Sequence, residues 1–433
     1  MIGALSFEQA PPLWVPLRFF LTAPWFLCAA GLLLAVDGAH VVAGGRWGPG
    51  AVAAVHLVTA GYMLQVMAGA LLQFMPVAAG ANVWRPRLTG GVAHAGFTAG
   101  GAALVAGFLW VGVPALQAAT VLMGGAGAFY VVVLARGLAA SPAIGPTLRG
   151  LRFAVFGLAV TVALGVALAS VFGFGVALPL AELVPVHAAW GLAGWALTLL
   201  AAVAWLVVPM FQLTPPYPPR FAFAFPLAVC GVVLGWTAAV FLRTPAVAIA
   251  VAAAGTLVVG AFGGATLRLQ GQRKRRVTDA TLECWRAGMA ALCAAAVLFP
   301  IPLAVTDAAL RGRLEWLAGV LVLGAFVAVI QGMLHKIVPF LVWLHLRSVM
   351  AVPPTMQKVL PDARARPQSR LLLASILVLA LAAAWPPLAH LGGVLLAVAA
   401  AWGGALLVGA ARFHHRLAQS PSASPDDTGR SAR

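Results

Sequence analysis

The chain has 433 residues, of which 62% are hydrophobic and 9% are charged, and its mean hydropathy is +0.99. Water-soluble domains are about 45–50% apolar and about 25% charged, so this composition excludes an ordinary soluble protein. The net charge of +17 does not indicate a nucleic-acid partner, because a surface this poor in polar residues would not stay dissolved while binding one. The lipid bilayer is therefore the expected surrounding, and no nucleic acid is expected.

Twelve stretches are apolar and long enough to cross a bilayer as a helix, which takes roughly 20 residues. The sequence thus predicts an all-α polytopic membrane protein in which residues 1–411 form one twelve-helix transmembrane domain. Residues 412–433, rich in Ser, Pro and Asp, are predicted to be a disordered cytoplasmic tail. Spans 1 to 12 are predicted at 17–36, 51–78, 89–111, 114–135, 150–174, 183–211, 221–242, 245–267, 284–304, 316–340, 369–387 and 390–411.

Basic residues are divided unevenly between the two sets of turns that join these spans. The turns after odd-numbered spans contain only Arg46, Arg243, Arg311 and Arg313, and the remaining basic residues lie on or near the other side. Short loops rich in Lys and Arg stay in the cytoplasm. The pattern predicts a multi-pass protein of the cell inner (cytoplasmic) membrane with both termini cytoplasmic. The dominance of Arg over Lys suits a GC-rich bacterial genome.

Spans 2, 6 and 10 share a pattern that recurs every four helices. Each is unusually long and has a proline near its cytoplasmic end, namely Pro76, Pro209 or Pro339. Spans 2 and 6 also place a histidine, His56 or His187, about 20 residues before the proline. Helices four apart run in the same direction, as in parallel repeats about an axis along the membrane normal. The sequence predicts three arcs of four helices related by pseudo-three-fold symmetry.

Histidines within the spans are the main candidates for function, because an ionisable side chain in hydrocarbon costs at least a few kcal/mol. His56 and His187 are expected roughly 8 Å and 7 Å inside their helices, at similar depth. Both can ligate haem iron or copper, and Met63 and Met67, farther along span 2, can add thioether ligands suited to Cu(I). The alternative is that these histidines form interhelical hydrogen bonds and that the methionines only pack.

His94 and His335 are further metal-ligand candidates near the cytoplasmic side, where they can face each other; the alternative is again interhelical hydrogen bonding. None of the ten carboxylates falls in the middle of a predicted span, which argues against proton pumping and ion-coupled transport. None of the four cysteines forms a CxxC or CxxCH pair, which argues against disulfides and covalently bound c-type haem.

The twelve-helix plan, with histidines on the second and sixth spans, resembles the heme-copper oxidase subunit I superfamily, which includes the nitric oxide reductases and looser relatives of the NnrS type. The resemblance covers residues 17–411. In that family, spans 2 and 10 supply the axial ligands of a low-spin haem, span 6 supplies a histidine to copper, and span 7 adds a His-His pair. His56 and His187 match the span 2 and span 6 positions.

Several positions depart from the family pattern. Span 7 and the outer half of span 10 contain no histidine, and span 6 lacks the tyrosine or glutamate beside the copper site. The resemblance therefore implies a b-type haem, a copper ion or both at His56 and His187, without a complete oxygen-reducing centre.

Two classes of function follow from the sequence. The first is an integral membrane haem- or copper-binding protein, with a redox role or a role in handling nitric oxide or metal. Its expected partners are a redox protein or an oxidase or reductase subunit, and it is not expected to be a terminal oxidase. The second is a cofactor-free permease for a small neutral solute. A third, a structural or assembly subunit, depends on partner contacts that a sequence does not show.

Overall fold

The computed structural model describes residues 7–275, 277–350 and 352–419 of the chain, and within these ranges all regular secondary structure is helical. Eleven of the described helices are long and apolar enough to cross a membrane. A twelfth long helix, near the end of the chain, is more polar in its first turns. The helices α1 to α12 are Trp14–Ala43, Pro49–Ala79, Pro86–Val111, Val113–Ala139, Pro146–Phe174, Leu180–Gln212, Pro219–Leu242, Pro245–Gly271, Ala280–Ala304, Ala308–Leu346, Asp362–Leu381 and Leu388–Gln419.

The prediction of an all-α polytopic membrane protein is confirmed, and most helices extend beyond the predicted apolar stretches. α10, predicted at 316–340, begins at Ala308 because the Asp307 side chain caps it by accepting a hydrogen bond from the Leu310 N–H at 2.6 Å. α11, predicted at 369–387, lies at Asp362–Leu381 and ends before the paired prolines 386–387, which disfavour helix in the preceding residue.

The end of the last helix differs from the predicted boundary of the transmembrane domain. α12 continues to Gln419, eight residues into the segment 412–433 that was predicted as a disordered tail. Residues 420–433 of that predicted tail lie outside the described residues.

Nine helices form a ring around three others. Ring neighbours are in contact in the order α1, α3, α4, α5, α7, α8, α9, α11, α12 and back to α1. The helices left inside are α2, α6 and α10, and 67% of the most apolar window of each is buried, against 50% or less in the other helices that could span a membrane. The three spans that share the proline pattern are therefore the three inner helices. The pseudo-three-fold relation between the arcs stays a prediction.

The ring is closed by a close approach of α1 and α12. A Cβ added to Gly31 would lie 2.4 Å from the Ala397 backbone nitrogen, and one added to Gly393 would lie 2.4 Å from the Ala35 nitrogen. Small residues at such a crossing allow the two backbones to come into contact. In lipid there is no hydrophobic driving force between helices, so this close packing is a main source of their association. The first and last helices are thus held by direct backbone packing.

Two faces of the helical assembly are distinguished below by charge. The basic face contains the turns after even-numbered helices together with the start of α1 and the end of α12, and the opposite face contains the turns after odd-numbered helices. On the opposite face, Arg243 pairs with Glu182 at 2.5 Å and Arg46 pairs with Glu315 at 3.3 Å. Two of the four arginines of this face are therefore neutralised by carboxylates.

Candidate functional site

The structure brings His56 and His187 together in the half of the membrane domain nearer the opposite face. Each lies seven residues after the first residue of its helix, Pro49 for α2 and Leu180 for α6, which corresponds to a depth of about 10 Å. Their ring centroids are 6.5 Å apart, and the ring planes are inclined by only 17°. The two histidines that the sequence placed at similar depth are therefore direct neighbours from two different inner helices.

Three π-helical segments lie beside this histidine pair. The α2 segment Leu57–Met63 begins directly after His56, and the α6 segment Trp190–Leu197 begins three residues after His187. The third segment, Gly107–Val111, ends α3 and contains Phe108, whose ring lies 6.5 Å from that of His56. Short π segments within α-helices are frequent at functional sites, because the extra residue redirects side chains.

Hydrogen bonding fixes the protonation of the His56 ring. Its Nδ1 lies 2.8 Å from the Val52 carbonyl oxygen, which can only accept, so Nδ1 carries the proton and donates it. The other ring nitrogen, Nε2, is left with a free lone pair. Metal-binding histidines are commonly held in this way, with one ring nitrogen donating to a carbonyl and the other ligating the metal.

His187 has a buried ring nitrogen that is not satisfied. Its Nδ1 makes no hydrogen bond of good geometry with a described residue, and the Thr161 backbone is the polar group beside the ring. The same edge of the ring packs on Gly165, where an added Cβ would come within 3.2 Å of His187 Cε1. A buried polar group without a partner costs about 1–3 kcal/mol, so a good hydrogen bond or a ligand at this nitrogen would stabilise the site.

The two rings lie among α2, α3, α5 and α6. Both histidines are partly buried, and the Phe108 ring beside His56 packs edge-on against Phe172 at 5.7 Å. Gly165 adds no side chain where α5 faces His187. Aromatic rings and glycine therefore form part of the surroundings of the pair.

The distance between the ring centres can be compared with that of two imidazoles on one metal ion. Metal–nitrogen bonds of about 2.0–2.1 Å place two ligating rings roughly 6 Å apart when a nitrogen of each ring points at the ion. The observed ring centres are 6.5 Å apart, with nearly parallel ring planes. Among the described residues, no group of three or more His, Cys, Asp and Glu side chains is placed to hold a metal ion. A pair of imidazoles completes the coordination of haem iron, whose other ligands come from the porphyrin, and imidazole also suits copper.

Met63 and Met67 are buried in α2. They follow His56 by seven and eleven residues, with the π-helical segment Leu57–Met63 directly after His56. The Val52 hydrogen bond turns the His56 ring towards the start of the helix, whereas both methionines lie further along it. Thioether ligation by Met63 and Met67 stays a prediction.

His94 and His335 lie on different sides of the bundle core, each with protein partners of its own. His94 Nε2 is 2.8 Å from the Thr22 hydroxyl of α1, and its ring packs edge-on against Phe19. His335 contacts Gln331 within α10, and its Nδ1 lies 3.4 Å from the Ser369 hydroxyl of α11. These contacts match the interhelical hydrogen bonding considered as the alternative to metal ligation.

The partners of His335 belong to a buried network of polar side chains centred on Gln331. Gln331 Oε1 accepts a hydrogen bond from the Tyr62 hydroxyl of α2 at 3.2 Å. The Gln331 side-chain nitrogen lies 2.9 Å from His335 Nε2 and donates to Gln368 Oε1 at 3.4 Å. Gln368 in turn donates to the Ala399 carbonyl of α12 at 2.8 Å. The network connects inner helices α2 and α10 to ring helices α11 and α12.

A second polar cluster lies at the basic face around Asp279, which directly precedes the first residue of α9. Asp279 caps α9 by accepting a hydrogen bond from the Leu282 N–H at 3.0 Å, and it pairs with the Lys336 ammonium at 2.9 Å. Burial raises the pKa of Asp279, but the Leu282 and Lys336 donors outweigh that effect and hold the pKa below its ordinary value. The ionised carboxylate is thus the form that the fold favours.

No family model matches the chain, and no curated protein matches it. The fold and the site define a multi-pass α-helical membrane protein with a histidine pair between two inner helices. The heme-copper oxidase plan expected from the sequence pairs the span 2 histidine with span 10. In the structure, His56 of α2 lies beside His187 of α6.

Proposed function

We propose that this integral membrane protein holds one redox-active metal, a b-type haem iron or a copper ion, between His56 and His187. The observation that carries the proposal is the parallel pair of imidazole rings 6.5 Å apart, one with its Nε2 lone pair free and the other with an unsatisfied buried Nδ1. A haem-copper oxidase-like relationship is consistent with the arrangement of inner helices α2, α6 and α10.

The residues of the chain have separate roles in this proposal. His56 and His187 ligate the metal, the Val52 carbonyl fixes the His56 tautomer, and Gly165 leaves room for the His187 ring. Phe108 contributes to the apolar wall that limits the access of water. When bound, the metal would supply one-electron transfer or reversible binding of a small molecule such as nitric oxide.

The site supports binding or electron transfer and not oxygen reduction. α7 carries no histidine to complete a binuclear centre, so we propose no terminal oxidase activity. Because loops rich in Lys and Arg prefer the cytoplasm, the proposal puts the basic face and both termini on the cytoplasmic side. The histidine pair, near the opposite face, then lies in the outer half of the inner membrane. A redox partner, or an oxidase or reductase subunit, would then approach from the periplasmic side.

The experiment is metal analysis and absorption spectroscopy of the protein purified in mild detergent. We expect either a Soret band or stoichiometric copper, and loss of that signal in both His56→Ala and His187→Ala. His94→Ala is the matched control, because it removes another partly buried histidine whose partner is a threonine, and it should retain the signal.

Three results would contradict the proposal. Absence of both haem and copper would remove the cofactor and favour the cofactor-free permease for a small neutral solute. An unchanged signal in both histidine variants would show that other residues ligate the metal. Equal loss in His94→Ala would trace the effect to folding and not to ligation.

A further inference from the structure

We propose that a cavity on the basic face, at the junction of the α10–α11 connection with α12, binds one anionic phospholipid. The cavity encloses about 250 Å³. One of its walls comes from the short helix Met356–Val359 and the start of α11, and the other comes from the last turns of α12. Its charged and apolar lining residues include Lys358, Leu360, Arg364, Leu406, Gly409 and Phe413.

The cavity carries two cations that the protein does not neutralise. Lys358 and Arg364 are exposed, and neither forms an ion pair with any described residue. By contrast, Arg366 pairs with Asp362 at 2.8 Å and Arg370 pairs with Glu283 at 3.1 Å, on the same helix as Arg364. A phosphate group can accept hydrogen bonds from the Arg364 guanidinium and the Lys358 ammonium at the same time.

The position of the cavity along α12 matches the boundary between hydrocarbon and headgroups. α12 begins at Leu388 on the opposite face, and Gly409 lies 21 residues further on, about 32 Å along the helix. The hydrocarbon core of a bilayer is about 30 Å thick. The α12 wall of the cavity therefore lies at the level where acyl chains meet phosphates.

The walls favour a lipid over a soluble anion. The surface facing the two cations is apolar, formed by Leu406, Gly409 and Phe413. A Cβ at Gly409 would meet no atom within 4 Å, so this part of the wall leaves open space that an acyl chain can fill. A free phosphate would use only the cationic rim, whereas a phospholipid uses both halves of the cavity. Basic pockets beside transmembrane helices are known to take acidic headgroups in this way.

Lipid retention tests the assignment independently of the metal site. The full-length protein is incorporated into nanodiscs that contain phosphatidylglycerol and phosphatidylcholine in equal amounts, and tightly held lipid is counted by native mass spectrometry. The test variant is Lys358→Gln with Arg364→Gln. The matched control is Arg268→Gln with Lys274→Gln, which removes two exposed cations elsewhere on the basic face.

We expect the wild type and the control to retain one phosphatidylglycerol, and the test variant to retain at least fivefold less. Gly409→Leu, which keeps the charge but fills the cavity, should lose the lipid as well. Inorganic phosphate at millimolar concentration should not displace it. Equal loss in test and control variants, full retention in Gly409→Leu, or displacement by inorganic phosphate would each overturn the proposal, the last by showing a simple anion site.

Discussion

Replacing Gly165 with valine should empty the proposed metal site while leaving both histidines in place. A Cβ at this position would lie 3.2 Å from His187 Cε1, only slightly inside the ordinary contact range of 3.4–4 Å, so alanine requires a shift of a few tenths of an ångström. The methyl groups of valine extend about 1.5 Å further, and the His187 ring would have to move by about 1 Å or more. Metal–ligand distances tolerate about 0.2 Å.

The assay compares bound metal per protein and the visible absorption of wild type, Gly165→Ala and Gly165→Val. We expect the alanine variant to bind metal with a shifted band and the valine variant to lose at least tenfold in affinity. Gly264→Val is the control, because a Cβ there meets no atom within 4 Å and the helix-propensity cost of valine is the same. Full occupancy and an unshifted band in Gly165→Val would refute the assigned position of His187.

Three further predictions concern the fold. Gly31→Ala places a Cβ 2.4 Å from the Ala397 backbone nitrogen, so α1 and α12 must separate, and thermal unfolding in detergent should show a loss of about 1–3 kcal/mol. Tyr62→Phe removes the hydrogen bond donated to Gln331 and should cost about 1 kcal/mol by the same measurement. Asp279→Asn should lower stability at neutral pH. The folded-state pKa of Asp279 is lowered, so the wild type should have a larger free energy of unfolding than Asp279→Asn at pH values above the ordinary carboxyl pKa. This difference should disappear as the pH falls through the lowered pKa.

Matched variants separate these effects from general damage. Gly264→Ala, at an open helical position, should be neutral or slightly stabilising, and equal losses in Gly31→Ala and Gly264→Ala would contradict the α1–α12 contact. Tyr130→Phe should cost less than Tyr62→Phe, since Tyr130 donates to a backbone carbonyl that keeps its helical hydrogen bond. A wild-type advantage over Asp279→Asn that persists below the lowered pKa would contradict the role given to its ionised form.

Hydrophobic composition predicted the helices well because span length is set by the thickness of the bilayer. The predicted limits were less accurate where polar residues continue a helix beyond the hydrocarbon, as in the capped start of α10 at Ala308 and the extension of α12 to Gln419. The proline pattern also identified the three inner helices. These three helices are longer than a single crossing requires, and two thirds of the most apolar window of each is buried by other helices.

It was harder to predict which side chains face one another at the site, because a sequence gives the depth of a residue along a helix but not the direction of its side chain around the helix. Depth placed His56 and His187 at the same level, and only the packing of four helices shows that their rings meet. A period of 3.6 placed Met63 and Met67 on the His56 face. The π segment Leu57–Met63 has more residues per turn than an α-helix, so the residues after it do not follow the 3.6-residue period. Nothing in the composition of the segment marks it as π-helical.

The backbone contact between α1 and α12 has a consequence for the order of assembly. α12 follows the eleven other long helices in the described part of the chain, so the α1 surface around Gly31 lacks this partner while those helices are being synthesised. Without α12, α1 and α11 have no common neighbour in the ring. Closure of the ring therefore depends on a contact between two helices that lie far apart along the chain.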